Sequence, residues 1–111
     1  MALTVQPLVP TGTPNGVPLV VGTSSTTLHT ATAVAGQTDV LDIKAANVTA
    51  SPVVLTLTIN SVVAFTGAIA ANSTDNGALG RYRVSGGVVV AATGATASAI
   101  NLSATALREA Q

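Results

Sequence analysis

The chain has 111 residues, a length typical of one domain, and its four basic and four acidic residues give a formal net charge of zero. It contains no cysteine or tryptophan, one tyrosine and one phenylalanine. This composition excludes disulfides and thiolate metal sites, and it predicts no nucleic-acid binding, because no basic stripe can neutralise phosphates and no aromatic platform can stack bases.

Charged residues are scarce in this sequence. They make up 7% of the chain, whereas an ordinary soluble protein has about 25%. A neutral surface with few charges does little to keep copies apart, and charge is depleted at the centres of protein interfaces. The composition therefore favours a protein whose surface is covered in an assembly over a neutral monomer. The charged residues are Asp39, Asp42, Lys44, Asp75, Arg81, Arg83, Arg108 and Glu109.

Proline recurs at positions 7, 10, 14 and 18 of the N-terminal segment. Proline fixes φ and lacks a backbone donor, so neither a helix nor a central strand runs through such a segment. Its aliphatic residues are too apolar for a solvated linker. The pattern predicts an extended arm over residues 1–18 that docks on a neighbouring surface, followed by one domain over residues 19–111. The expected anchors of the arm are Leu3, Val5, Leu8 and Val9.

The sequence also carries an expectation about location. The first residues lack the basic start and apolar stretch of a signal peptide. No run approaches the roughly 20 apolar residues of a membrane-spanning helix. We therefore expect a protein that is not secreted, has no membrane contact and stays in the cytoplasm until it is assembled.

From residue 19 onward, the dominant hydrophobic period is two. Residues 53–60 alternate aliphatic residues with largely threonine, which predicts a half-buried strand. Asn60 and Ser61 then predict a tight hairpin turn, because Asn tolerates positive φ. By the same logic, further strands are predicted at residues 26–32, 38–45, 62–66, 68–71, 79–84, 88–92 and 100–107.

Seven or eight short strands with regularly spaced turns predict an all-β fold, either an antiparallel β-sandwich or a jelly roll. Periodicity does not encode strand order, so it leaves these two alternatives open. Residues 72–77 are a cluster of turn formers. A short helix over residues 104–110 is the one helical alternative that the alanine-rich C-terminal segment offers.

The titratable residues do not form a pattern typical of an active site. His29 is the single histidine, lies in a threonine-rich strand and is interpreted as structural or surface-exposed. Asp39 and Asp42 are expected on opposite faces of their strand, and Asp75 in a turn. We therefore expect no enzymatic activity, no cofactor and no metal site.

Arg81 and Arg83 are the strongest candidates for polar contacts with a partner. At i and i+2 of a strand they share one face, while Tyr82 and Val84 point to the other. Arginine is enriched at interfaces because its planar fork binds carboxylates with two hydrogen bonds. The alternative is that both are solvated charges paired within the chain to Asp39 or Asp42.

Residues 26–106 resemble a small β-sandwich module of tailed-bacteriophage virion proteins, of the capsid decoration or tail accessory type. The resemblance implies a virion structural protein that forms a homo-oligomer, with a trimer favoured. The segments that carry it are Leu28-His29-Thr30, Ala35-Gly36-Gln37, residues 40–43, Ala46-Asn47-Val48-Thr49, residues 53–65 and residues 99–102.

A stand-alone chain with an arm fits a capsid decoration, or cement, protein best among the roles that the resemblance implies. Its partner would be the major capsid protein or another virion protein, and its location the virion. A tail, neck or collar module is the first alternative. The second is a module that binds host-surface glycans, for which Phe65 and Tyr82 are the only aromatic side chains available for stacking.

Overall fold

The computed structural model describes residues 4–75 and 79–110, and it confirms the predicted all-β antiparallel sandwich. The described strands all pair in antiparallel fashion, and a single 3-10 turn, Pro14–Gly16, lies between the first two. The strands are β1 (Thr4–Leu8), β2 (Leu19–Val20), β3 (Thr26–Thr30), β4 (Gln37–Asn47), β5 (Val53–Ile59), β6 (Val62–Ile69), β7 (Ser73–Asp75), β8 (Arg81–Val84), β9 (Val89–Gly94) and β10 (Ile100–Ala110).

Two sheets make up the sandwich. The first has the order β1-β10-β4-β7, with β2 also paired to β10 and β8 also paired to β4. The second has the order β3-β9-β5-β6. The chain passes repeatedly from one sheet to the other, so most strands that are neighbours in a sheet are far apart in sequence.

The core lies between the sheets and is almost entirely aliphatic. β4 contributes Leu41 and Ile43 on its inner face, as the alternation of that strand predicted, and β5 contributes Leu55 and Leu57. Burying one such side chain stabilises the fold by about 2 kcal/mol. Leu28, Val90, Ile100 and Leu102 are completely buried in the same cluster.

The hairpin predicted at Asn60 and Ser61 is confirmed. Both residues have positive φ, 52° and 68°, as a two-residue type I′ turn requires. The turn joins β5 to β6. β6 continues as one strand to Ile69, so the separate strand predicted at residues 68–71 is largely the end of β6.

The strand predicted at residues 100–107 is confirmed, and one local prediction is wrong. The alternative of a helix over residues 104–110 is not adopted, because β10 pairs with β4 along its whole length of 11 residues and this ladder outweighs the helix propensity of alanine. Ser73–Asp75, predicted as part of a turn, forms the short strand β7 on β4. The remainder of that turn, residues 76–78, lies outside the described residues.

The N-terminal segment is extended, but its described part lies on its own chain rather than projecting to a neighbour. β1 pairs with the C-terminal half of β10 as an edge strand, a position that tolerates Pro7. Beyond β1, the chain crosses to β3, where Gly12 N–H donates to Leu28 O at 2.7 Å, and it returns to β10 as β2. Residues 4–20 therefore contact both sheets. No helix of the described residues is long and apolar enough to span a membrane.

Candidate assembly surfaces

The solvent-facing side of the first sheet carries most of the charged side chains that the structure describes. We call this surface the charged face. It crosses four strands in the order β1, β10, β4 and β8, and the register of these strands places the residues in rows. Its members are Val5, Pro7, Val40, Asp42, Lys44, Arg81, Arg83, Thr105, Leu107 and Glu109.

The centre of the charged face is apolar. Pro7, Leu107 and Val40 lie side by side on β1, β10 and β4. Leu107 is 45% exposed, whereas Val40 is 7% exposed even though it points away from the core. Arg83 pairs with Val40 in the register and lines the same shallow depression. Charged side chains of β10, β4 and β8 thus border this apolar patch, which is open toward β1.

Two ion pairs flank this patch. Arg81 binds Asp42 with two parallel hydrogen bonds of 3.0 Å each, and Arg83 donates to Glu109. The hydrogen bond from Arg81 holds the pKa of Asp42 below its ordinary value. Both arginine side chains are largely exposed, so they remain accessible to a partner. The alternative that both arginines pair within the chain to Asp39 or Asp42 is confirmed for Arg81, which binds Asp42. Arg83 also pairs within the chain, but with Glu109, which was not predicted as a partner.

The predicted contact residues divide into two groups. Val5, Arg81 and Arg83 come together on the charged face, with Val5 paired to Glu109 across β1 and β10. Leu8 points inward instead and packs against the core of its own chain. Val9 is exposed just beyond β1, and Leu3 lies outside the described residues.

The most connected polar group is the buried carboxylate of Asp39. It accepts two hydrogen bonds from Arg108, at 2.7 and 3.1 Å, and one from the Thr32 N–H at 3.0 Å. His29 Nε2 lies 2.8 Å from the same carboxylate. Burial raises the pKa of Asp39, but these hydrogen bonds outweigh it, so its pKa lies below the ordinary value. The carboxylate therefore joins β3, β4 and β10 inside the sandwich.

His29 extends this network to the N-terminal segment. Its Nδ1 accepts a hydrogen bond of 3.2 Å from the Thr11 N–H, so the ring proton sits on Nε2 and is donated to Asp39. Thr11 Oγ1 in turn accepts from the Thr30 N–H at 3.0 Å. Of the two interpretations made from the sequence, structural or surface-exposed, the structure supports the structural one for His29. The His29 side chain binds Thr11 to the edge of β3.

Sequence reasoning placed Asp39 and Asp42 correctly on opposite faces but did not identify the network around Asp39. The position of Asp39 in its strand could have indicated the network. Asp39 stands at two-residue spacing from Leu41 and Ile43, so it belongs to the same inner face. A carboxylate at such a position requires partners. Its partners lie on other strands, Arg108 at 69 and His29 at 10 residues away in sequence, and periodicity does not reveal which strands are brought together.

The second sheet differs from the first in charge. None of the residues of β3, β5, β6 and β9 is Asp, Glu, Lys or Arg. Its outer surface consists of threonine, alanine and valine side chains, among them Val54 and Val63 at 47% and 58% exposed. We call it the uncharged sheet. The two faces of the sandwich therefore offer a partner quite different chemistry.

The two aromatic side chains do not form a joint stacking platform. Tyr82 points inward from β8 and packs against the core, and burial raises the pKa of its hydroxyl. Phe65 lies on β6 of the other sheet and also packs against the core. Within residues 4–75 and 79–110, no group of three or more His, Asp or Glu side chains is placed to hold a metal ion.

Comparisons with known proteins give a likeness of fold. No protein-family model matches the sequence, and no curated protein matches it. A solved structure of Bacillus endospore appendages, described as a family of disulfide-linked pili, is similar with a TM-score of 0.52 and 11% identity, over 98% of this chain and 87% of the other. A pentameric capsid protein isolated from metagenomic phage sequences is similar with a TM-score of 0.37 and 14% identity, over 80% of this chain and 57% of the other.

Proposed function

We propose that this protein is a virion structural subunit that acts as a capsid decoration protein, bound to the head shell through its charged face. One observation carries the proposal, namely the apolar patch of Pro7, Leu107 and Val40 bordered on the β8 side by two paired but exposed arginines. Protein interfaces commonly have an apolar centre and a polar rim, with arginine enriched. The resemblance in sequence to phage virion modules supplies the class of partner, which is the major capsid protein.

The scarcity of charge supports a role in an assembly. A chain with 7% charged residues and an uncharged sheet is suited to be covered on several sides. Many identical copies would turn a weak contact with the shell into a durable one. The role is structural rather than catalytic, and its site is the virion. The likeness to disulfide-linked pili does not extend to that linkage, because this chain has no cysteine.

The alternatives have less support. Tyr82 and Phe65 lie on different sheets and pack inward, so they do not offer a sugar ring a shared stacking surface. This arrangement gives the glycan-binding alternative little support. A tail, neck or collar module would use the same fold in few copies per particle. The copy number in purified particles separates that role from decoration.

Leu107→Asp tests the charged face. We expect this change at the centre of the apolar patch to weaken binding to empty head shells of the parent virus by about 30-fold, the loss typical of a central contact residue. The measurement is co-sedimentation of the purified protein with these shells over a range of concentrations. Point substitution is preferred to removal of residues 1–18, because β1 and residues 11–13 are part of the sandwich.

Val54→Asp is the matched control. It places the same charge at a position of nearly equal exposure, 47% against 45%, but on the uncharged sheet. We expect it to bind shells like the wild type. Equal loss of binding in both variants, or unchanged binding of Leu107→Asp, would show that the charged face is not the contact.

A further inference from the structure

The strand edges of this sandwich are protected to different degrees. An exposed edge presents unpaired N–H and C=O groups to any other strand, and proteins prevent such pairing with short strands, charges, proline or a covering segment. The described sheets end in β1 with the two-residue β2, in β8 with the short β7, in β3 and in β6.

Three of these edges carry a protective feature. β1 has five residues and contains Pro7. β8 has four residues, two of which are Arg81 and Arg83. The outer side of β3 is covered by the N-terminal segment, because Gly12 N–H donates to Leu28 O and Thr11 Oγ1 accepts from Thr30 N–H.

β6 has neither charge nor proline. It is eight residues long, pairs only with β5 among the described strands, and carries Val62 and Val63 at 70% and 58% exposed. One bulge interrupts it, because Phe65 and Val63 pair with consecutive residues of β5 and leave Ala64 unpaired. On both sides of the bulge β6 forms a ladder with β5, and no other described strand pairs with the outer side of residues 62–68. Ile69 differs, because it is buried and its carbonyl accepts a hydrogen bond of 2.9 Å from Asn47 Nδ2.

We propose that β6 pairs in antiparallel fashion with β6 of a second copy of this chain. The two uncharged sheets would then become one continuous sheet of eight strands about a two-fold axis. A second copy is the occupant because, among the described edge strands of more than two residues in such a copy, β6 alone lacks proline, charge and a covering segment. Identical antiparallel edges are also self-complementary.

Charge favours the same occupant. All eight charged residues lie in strands of the first sheet, so β6–β6 pairing of the uncharged sheets brings no like charges into contact. Pairing with β8 of another copy would instead place Arg81 and Arg83 beside an edge that offers no carboxylate. The arrangement leaves the charged faces of both copies open.

This inference does not rest on the proposed function, since the pairing takes place between free copies in solution. It differs from the trimer that the sequence resemblance implies, because a two-fold edge contact joins only two copies. The solution mass therefore decides between the two. Shell binding is a separate measurement, so failure of one proposal does not entail failure of the other.

Val63→Lys tests the pairing. Lysine on an edge strand is a device with which natural sheets prevent edge-to-edge contact. By sedimentation equilibrium, we expect the wild type to approach twice its mass of 10.8 kDa as the concentration rises. We expect Val63→Lys to raise the Kd of the pair at least about tenfold. Far-UV circular dichroism checks that the variant is folded.

Val54→Lys is the matched control, because it adds the same charge to the same sheet but on the central strand β5. It should still form pairs. Dissociation of Val54→Lys together with a stable Val63→Lys pair would overturn the proposal in favour of face-to-face packing. A wild type that is monomeric up to about 1 mM, or trimeric, would also overturn it.

Amide hydrogen exchange gives a readout that needs no variant. Outward-pointing N–H groups of residues 62–68 should become protected as the wild-type concentration rises, while those of exposed loops should not change. Protection of β6 that is independent of concentration would contradict the pairing.

Discussion

Replacement of Asp39 by asparagine is expected to lower the free energy of unfolding by about 3 kcal/mol, a large part of the 5–15 kcal/mol of a typical domain. The amide keeps the shape of the carboxylate but presents an NH₂ group to donors of Arg108, Thr32 and His29. The estimate is at the low end for a broken buried ion pair, because the Arg108 side chain is 30% exposed and can be hydrated again. Urea unfolding at neutral pH measures the loss.

Asp42→Asn is the matched control, because Asp42 binds Arg81 in the same way but on the exposed face. We expect its unfolding midpoint to stay close to that of the wild type. The pH dependence gives a second check. The pKa of Asp39 is lowered in the folded chain, so its stabilisation is complete above about pH 4 and is lost as the pH falls below that value.

The difference in stability between wild type and Asp39→Asn should therefore shrink in acid. A difference that is constant from neutral pH to about pH 2 would show that the mismatched amide NH₂ group, rather than the lost charge, is responsible. Equal effects of Asp39→Asn and Asp42→Asn would contradict the structural role of the buried network.

Gly12→Ala is expected to have the second large effect. A Cβ atom at this position would lie 2.5 Å from the Leu28 carbonyl oxygen and 2.8 Å from its Cα, so the N-terminal segment must move away from β3. The hydrogen bonds from Gly12 to Leu28, from Thr11 to His29 and from Thr30 to Thr11 are then lost. At about 1 kcal/mol each, the expected loss is about 3 kcal/mol in thermal unfolding.

Gly22→Ala is the control for this substitution. Its Cβ would meet no heavy atom closer than 3.7 Å, and its φ is not in the left-handed region. We expect little change in the unfolding midpoint. Hydrogen exchange at the Thr30 amide gives a local readout, because it should speed up in Gly12→Ala alone. Unchanged exchange there would show that the segment does not depend on its contact with β3.

The alternation of residues was sufficient to predict the fold class and most of the strands. It succeeded in β4 and β5 because one side of each strand faces the core, so period two is a direct consequence of burial. It also predicted the strand at residues 100–107, but the Ala-rich composition left a helix over residues 104–110 open as an alternative, and pairing with β4 determines the outcome. Local propensity carries no information about a partner strand that is about 60 residues away in sequence.

The candidate surfaces were predicted only in part. Val5, Arg81 and Arg83 were selected for their own chemistry, but their meeting on one face depends on the strand order β1-β10-β4 and on the attachment of β8. Leu8 was expected to contact a partner because it is one of the aliphatic residues of a proline-rich segment that is too apolar for a solvated linker. In the structure it lies opposite Ala106 on the inner side of β10 and contributes to the core. Sequence alone does not show which side of an edge strand is covered.

The copy number of this protein in purified particles tests the central proposal most directly. A decoration protein should be present in a number of copies comparable to the number of capsid subunits, and empty shells should take up the purified protein until they are saturated at that ratio. Quantitative mass spectrometry of intact particles provides the ratio to the major capsid protein. A few copies per particle would contradict decoration and favour the tail, neck or collar alternative, and absence from particles would contradict a virion role altogether.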